Sequence, residues 1–377
     1  MDADSPKEAD DTAAQPAPPK GVWGTILTTT PIALTVLATA FAGLSSSEMT
    51  QSMYFRSLAA QHQSKAGDQW GFFQAKKIRG SGIRTGVQLQ PDLIRPGDFD
   101  PWRLDAACAK IAAVLKKAAE DSAEPEPRRQ EAKKAAAKIE ATREKLKALL
   151  DKETTSQSLP FLMGTAMPEV QARQLDKEGA GGTIAEVVKA IRTRKTEAET
   201  ATLVGKVNPA DIEKAVQVAE ENADQFDQAC RPINETIKQF AALMAELAAA
   251  VKPFRRVEGD GPEVVTPLTA AADRVDRLNK SFDTTVLDFD RRRYDEEAAY
   301  NLKAAEMYEV RVRRSALDSD RHRDRSKMFF YSMLLAQAGV TVSSLALAGA
   351  KRSWLWLFAA LAGVVALAFS AYVYLGY

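Results

Sequence analysis

Histidine and cysteine are scarce in this chain. His62 and His322 are its two histidines, and Cys108 and Cys230 its two cysteines, in 377 residues. Two histidines leave little for histidine-rich metal sites or for imidazole-based catalysis. Two distant cysteines without Cys-x-x-Cys spacing exclude a disulfide-built fold, while leaving a single bridge open. Net charge is lacking too. Lys and Arg number 51 against 50 Asp and Glu, for a net charge of +1, so no nucleic-acid partner is expected on electrostatic grounds. Charged residues are missing altogether from 22–44, 328–350 and 354–377, and proline and glycine are missing from 268–337.

The three charge-free runs are each long enough, at helical rise, to cross a hydrocarbon core of roughly 30 Å. A backbone without water partners must satisfy its own hydrogen bonds there, which demands helix. The last two runs flank Lys351-Arg352-Ser353 and read as a helical hairpin. Trp354, Trp356, Tyr372, Tyr374 and Tyr377 lie near the ends of the third span, where amphipathic rings favour the interface. Ala40-Phe41-Ala42 could end a signal peptide. The run before it is long for that role, and its leading tail is acidic (Asp2, Asp4, Glu8, Asp10, Asp11), so an uncleaved span is expected.

Basic residues gather before the second span: Arg311, Arg313, Arg314, Arg321, Arg323, Arg325 and Lys327. Their position predicts attraction to anionic headgroups in the run 311–327 rather than to RNA or DNA. The same bias predicts a cytoplasmic middle segment and C-terminus in the bacterial plasma (inner) membrane, opposed by Lys351 and Arg352 and diluted by Asp318, Asp320 and Asp324.

Between the first span and the last two, helical stripes replace strand alternation. Asp100-Pro101, Asn208-Pro209 and Thr266-Pro267 each place a capping side chain before a proline suited to the first helical position. Thr183 with Glu186 suggests a capping box. The clearest stripe runs from Ile212 to Val251 through Phe226, Cys230, Ile233, Phe240, Met244 and Leu247, at steps of four and three. Such an a/d seam predicts helix pairing, with Pro232 expected to kink or split the helix. A weaker seam passes through Ala132, Ala135, Ile139, Thr142, Leu146 and Leu149, and another through Leu268, Ala271, Val275, Leu278, Phe282 and Phe289. A nearly unbroken helix from 267 to 350 would be roughly 125 Å long and needs partners. The helix after Asn208 is expected to fold back on it, with the turn at 257–265.

Most candidate chemistry has a plainer reading. Gly179-Ala180-Gly181-Gly182-Thr183 lacks the lysine of a phosphate-binding loop and reads as linker and cap. Cys230 and Cys108 sit on apolar stripes, as structural thiols do. His62 and His322 read as solvated, and Glu296-Glu297 as part of solvated i, i+4 pairs. Gln337 is the most polar group within a span and is expected to make an interhelical hydrogen bond; a pore-lining role shared with Thr341, Ser343 and Ser344 is the sharper alternative.

One segment stands apart. Asp68-Gln69-Trp70, then Phe72-Phe73, then Gln74-Ala75-Lys76, follows shortly after the first span. It resembles a family of uncharacterised bacterial membrane proteins, a domain of unknown function, in which such a motif precedes a helical region and a C-terminal two-span hairpin with a basic turn. The resemblance covers 68–76 and, more loosely, 291–377, about a quarter of the chain. It implies that 80–262 is a longer middle than the family's usual one. Gly71 departs from the aromatic or alanine more usual there. The resemblance implies topology, and for Asp68, Gln69, Trp70, Phe73, Gln74 and Lys76 a shared motif whose role it does not give.

The expected architecture is an all-α membrane protein with three transmembrane helices and a long helical-hairpin, coiled-coil-like middle segment. Its parts are an acidic tail expected to be disordered (1–20), a first span (21–44), a membrane-proximal helix and loop (45–99), a helical insertion with heptad seams (100–266), a long helix (267–327), and spans at 328–350 and 353–377. No catalytic, cofactor or metal site is expected. The function expected is that of a membrane-anchored structural or interaction protein that self-assembles as a homo-oligomer. The alternative is an oligomeric pore or transport-related assembly.

Overall fold

A computed structural model describes residues 21–88, 99–122, 124–164, 167–169, 180–255, 266–348 and 353–376. The acidic tail, the turn at 257–265 and the Lys351-Arg352 turn therefore lie outside the described residues. The described chain is helical, with no strand: α1 Val22–Gln88, α2 Pro101–Glu120, α3 Glu126–Leu150, α4 Glu153–Leu162, α5 Ala180–Arg192, α6 Glu197–Lys206, α7 Pro209–Val251, α8 Pro267–Ala348 and α9 Ser353–Gly376. Three of these, α1, α8 and α9, contain stretches long and apolar enough to cross a membrane.

The start signals act as their chemistry requires. Asp100 accepts from the amides of Trp102 and Arg103, Asn208 from that of Ala210, and the Thr266 hydroxyl from that of Thr269. Each supplies an acceptor to a first-turn N–H that has no intrahelical partner. Thr183 does not start a helix. α5 begins at Ala180, so Thr183 lies within its first turn; the apolar run from Ile184 carries Gly181 and Gly182 into helix despite their propensity cost of about 1 kcal/mol each. The capping box occurs at the next helix instead, between Thr196 and Glu199. α7 passes through Pro232 without being split, and α1 continues well past the first apolar run.

The chain divides into two compact units. One gathers the described residues of Met1–Ala60 and Arg313–Tyr377; the other is Gln61–Val312. In the second unit, α2 packs on α3, α3 and α4 pack on α7, and the α8 residues up to 312 run antiparallel to α7. Glu213 meets Arg311, Glu220 meets Tyr308, and Asn234 meets Arg293, fixing that direction. The seams point inward. Leu104, Leu115, Ile139, Phe240, Leu247 and Val275 are all at most 1 % exposed. Thr285, the polar lapse in the α8 seam, is buried and donates to the Ser281 carbonyl at 2.9 Å. Phe99, outside any seam, inserts between Phe240 and Phe282 with ring centroids 6.0 and 5.1 Å away.

In the first unit, serines tie α1 to α8. The Ser45 hydroxyl donates to the Ser326 carbonyl at 3.0 Å, and Ser326 returns the bond at 2.8 Å. One heptad away, Ser319 donates to the Ser52 carbonyl at 2.9 Å. Small hydroxyl residues let helices approach closely while leaving no polar atom unpaired. α9 joins where glycine makes room. A Cβ at Gly363 would start 2.6 Å from the Leu34 Cδ2 methyl, so any larger residue there would have to displace the end of that side chain. Trp356 donates its indole N–H to the Thr30 hydroxyl at 2.9 Å.

Candidate functional site

The motif after the first span lies on α1 in the second unit, and its residues divide by direction. Trp70 and Phe73 are half-buried and meet edge to face at 5.6 Å. The Trp70 indole donates to Glu309 Oε1 at 2.9 Å. Two turns on, the Lys76 ammonium pairs with Glu297, and Lys77 with Asp295 at 3.3 Å. Trp70, Phe73, Lys76 and Lys77 therefore face the antiparallel α8. Asp68 and Gln74 are exposed, and they and Gln69 make no side-chain hydrogen bond among the described residues. The motif is thus not gathered into one site.

Glu297 leads into a buried ionic cluster. It is only 9 % exposed, against the expectation of a solvated carboxylate, because α1 brings Lys76 over it and α8 itself supplies Arg293 one turn earlier. Glu296 does face solvent. Arg293 reaches Glu297 at 3.4 Å, Asp290 at 3.2 Å and the Asn234 side-chain oxygen at 2.9 Å, and it stacks on the Tyr294 ring. Burial holds the Asp290 carboxyl above its ordinary range, opposed by the Arg293 charge and reinforced by Glu297. Burial also pushes the nearby Cys230 thiol up to about 12, with Glu297 adding to it.

A second buried group was not legible in the sequence. His62 is 6 % exposed, packs beside Tyr308, and its Nδ1 has no hydrogen-bond partner among the described residues. Its polar flanks, Gln61 and Gln63, point to solvent while the ring turns inward. The Tyr308 hydroxyl donates to Glu220 at 2.5 Å, Lys65 lies over the Tyr308 ring, and Arg311 pairs with Glu213. Burial, then the Arg311 and Lys65 charges, hold the His62 pKa below the ordinary 6.5, with Glu213 opposing. A depressed histidine pKa means the folded state resists protonation. Its contribution to stability is complete above the ordinary pKa and is lost as pH falls through the folded one. Acidification from about pH 7.5 to about pH 5 should therefore lower the denaturant midpoint of the chain more than that of a His62→Gln variant. Equal acid shifts in the two proteins would remove His62 from this role.

His322 is likewise not simply solvated. Its Nδ1 lies 2.6 Å from Glu48 Oε2, and its ring stacks on Phe55 at 5.3 Å. Both partners are on α1, more than 260 residues away, beyond what local sequence shows. The basic run largely satisfies itself. Arg314, Arg321, Arg323 and Lys327 pair with Asp318, Asp320 and Asp324 one turn away. Arg313 and Arg325 have no ion pair among the described residues. Gln337 faces outward from α8, beside a groove of about 390 Å³ lined by Thr35, Ala38, Thr39, Ala42, Val340 and Thr341. Its side-chain amide has no partner among the described residues.

A further cavity, of about 430 Å³, opens beside Trp70 between Val188, Ile191, Arg192, Arg194, Glu306 and Glu309. Arg192 donates to Glu306 across it at 2.5 Å. Its lining holds carboxylates, guanidinium groups and an indole, with no hydroxyl, thiol or imidazole to serve as nucleophile. Among the described residues no three His, Cys, Asp or Glu side chains converge on a metal position.

Comparison with known families places this geometry. Residues 26–234 match a family model described as a domain of unknown function, DUF4337. The chain belongs to this family. The DUF4337 match takes in the 68–76 motif and continues through α2–α6 into α7; residues 291–377 fall outside it. Searches of curated proteins and of solved structures returned no match. The family assigns no activity, and the residues that pack the motif, Glu297 and Glu309, lie beyond its matched segment.

Proposed function

We propose that this DUF4337 protein is a membrane-anchored structural or interaction protein that self-assembles as a homo-oligomer and performs no catalysis. Its spans fix it in the bacterial plasma (inner) membrane, with the middle segment and C-terminus on the cytoplasmic side. Arg313 and Arg325 supply the basic run's contact with anionic headgroups. The observation that carries this reading is how the motif is used: Trp70 and Lys76 engage Glu309 and Glu297 and so hold one helix to another. The supporting physics is that long helices gain stability from tertiary partners, and that a polar group left unpaired within a span gains by hydrogen bonding to a neighbouring helix.

Alkaline carbonate treatment of membranes should leave the full-length chain in the pellet. Light scattering of the detergent-purified protein should then give one defined mass above the monomer. Release into the supernatant would overturn the anchoring, and a monomeric mass the self-assembly. A second reading, an oligomeric pore, is favoured by the outward placing of Gln337, Thr341 and Ser344, whereas Ser343 is buried. Conductance across reconstituted bilayers would select it.

A further inference from the structure

In its span, α8 carries two stripes. The inner one, Phe329, Ser332, Ala336, Gly339, Ser343 and Ala346, is buried within the chain. The outer one, Phe330, Leu334, Gln337, Thr341, Ser344 and Ala348, is exposed throughout and advances by alternating steps of four and three residues. That alternation keeps a row of side chains facing one neighbouring helix. We propose that this outer stripe is the contact surface for the same stripe of a second copy of the chain, with Gln337 as its central pair. The proposal rests on the reading above, that the unit is bilayer-embedded and self-associating, and it names the face that does the work.

Exposed leucine and phenylalanine are ordinary on a span, since lipid is as apolar as they are. Gln337 is not. It lies about 14 Å along the span from Met328 at helical rise, near the middle of a hydrocarbon core. Water is absent at that depth, and headgroups are out of reach. The amide carries two donors and one acceptor oxygen, and the chain gives its side chain no partner among the described residues. Another glutamine across a two-fold axis answers donor with acceptor in both directions, which makes the residue complementary to itself.

Its neighbours on the stripe permit close approach. Thr341 and Ser344 are small, and their hydroxyls already donate to the carbonyls of Gln337 and Val340 at 3.1 and 2.9 Å. They bring no unsatisfied group to the contact. The groove beside Gln337, about 390 Å³ between α1 and α8, leaves room for a side chain such as Leu334 of the second copy.

The test uses the full chain in native membranes with single cysteines. Leu334→Cys, Thr341→Cys and Ser344→Cys probe the stripe; Leu335→Cys, Ala338→Cys and Leu345→Cys probe exposed positions off it. The unsubstituted protein, whose two thiols are buried, sets the background. Under mild oxidation the stripe positions should form disulfide dimers several-fold faster than the others. Adding Gln337→Leu to Thr341→Cys should reduce dimer formation roughly 3- to 30-fold, the span of interhelical hydrogen-bond effects in membranes, and Gln337→Asn should retain most of it. Equal rates on and off the stripe, or no effect of Gln337→Leu, would overturn the proposal. So would ready labelling of Thr341→Cys by a membrane-impermeant charged thiol reagent, which would mean a water-filled path. Amine cross-linking of the unsubstituted protein separates the two readings. An oligomer without stripe disulfides removes this contact alone, and a monomer removes the self-assembly with it.

Discussion

Phe240→Ala should destabilise the helical unit by about 3–5 kcal/mol, the range for deleting a fully buried aromatic side chain. Phe240 has no exposed surface, and its ring lies 6.0 Å from that of Phe99 and 6.4 Å from that of Phe282. Truncation would remove one of three mutually packed rings that join α7, α8 and the residue leading into α2. The surrounding helices are held by their own seams and can close only part of the space, so a cavity term adds to the lost transfer energy. Phe240→Leu keeps most of the volume and should cost clearly less. Guanidinium titrations of detergent-solubilised protein, followed by helical ellipticity, measure both. A loss below about 1 kcal/mol for the alanine variant would mean that the three rings do not form a packed centre.

A comparable loss, about 3–5 kcal/mol, is expected from Arg293→Met. The Arg293 and Glu297 side chains are only 15 % and 10 % exposed, and Asp290 shares the same guanidinium. Removing the arginine leaves Asp290 partly buried without its counter-charge and Glu297 with Lys76 alone, and that desolvation dominates any packing gained from methionine. Asp290 is already held above its ordinary 3.8 by burial, so the folded state binds its proton more tightly than the unfolded state does. Its contribution is complete below the ordinary value and is lost as pH rises through the folded one. Without Arg293 this raising grows. The difference between variant and parent should therefore narrow on going from about pH 7.5 to about pH 5. A difference that widens in acid would contradict the assignment. Lys77→Met removes a pair whose lysine is 59 % exposed and should change stability by no more than about 1 kcal/mol.

Much of the scaffold could be read before any coordinates. Ile212, Phe226, Cys230, Phe240 and Leu247 recur at steps that only a helix places on one face, and that face is buried. Asp100, Asn208 and Thr266 announce helix starts because an acceptor side chain followed by proline is suited to little else. Long-range pairing was not legible. Lys76 and Glu297 are 221 residues apart, and each alone looks like one more surface charge on a helix rich in both signs. His62 sits between glutamines and gives no local sign that its ring turns inward. Ser45 and Ser52 carry a heptad spacing, but serine marks too many loops and caps for that spacing to identify a helix contact.

Cys108 and Cys230 are free and buried, and burial raises their thiols to about 11 and about 12. Alkylating reagents attack the thiolate, which at neutral pH is scarce at both positions, and the sulfur must also be reached. Each cysteine thus acts as a built-in reporter of helix opening, chemically silent while its helix is seated in the bundle. Because one lies on α2 and the other at the centre of α7, their reaction rates would time the loosening of two separate parts of the protein without any added label site.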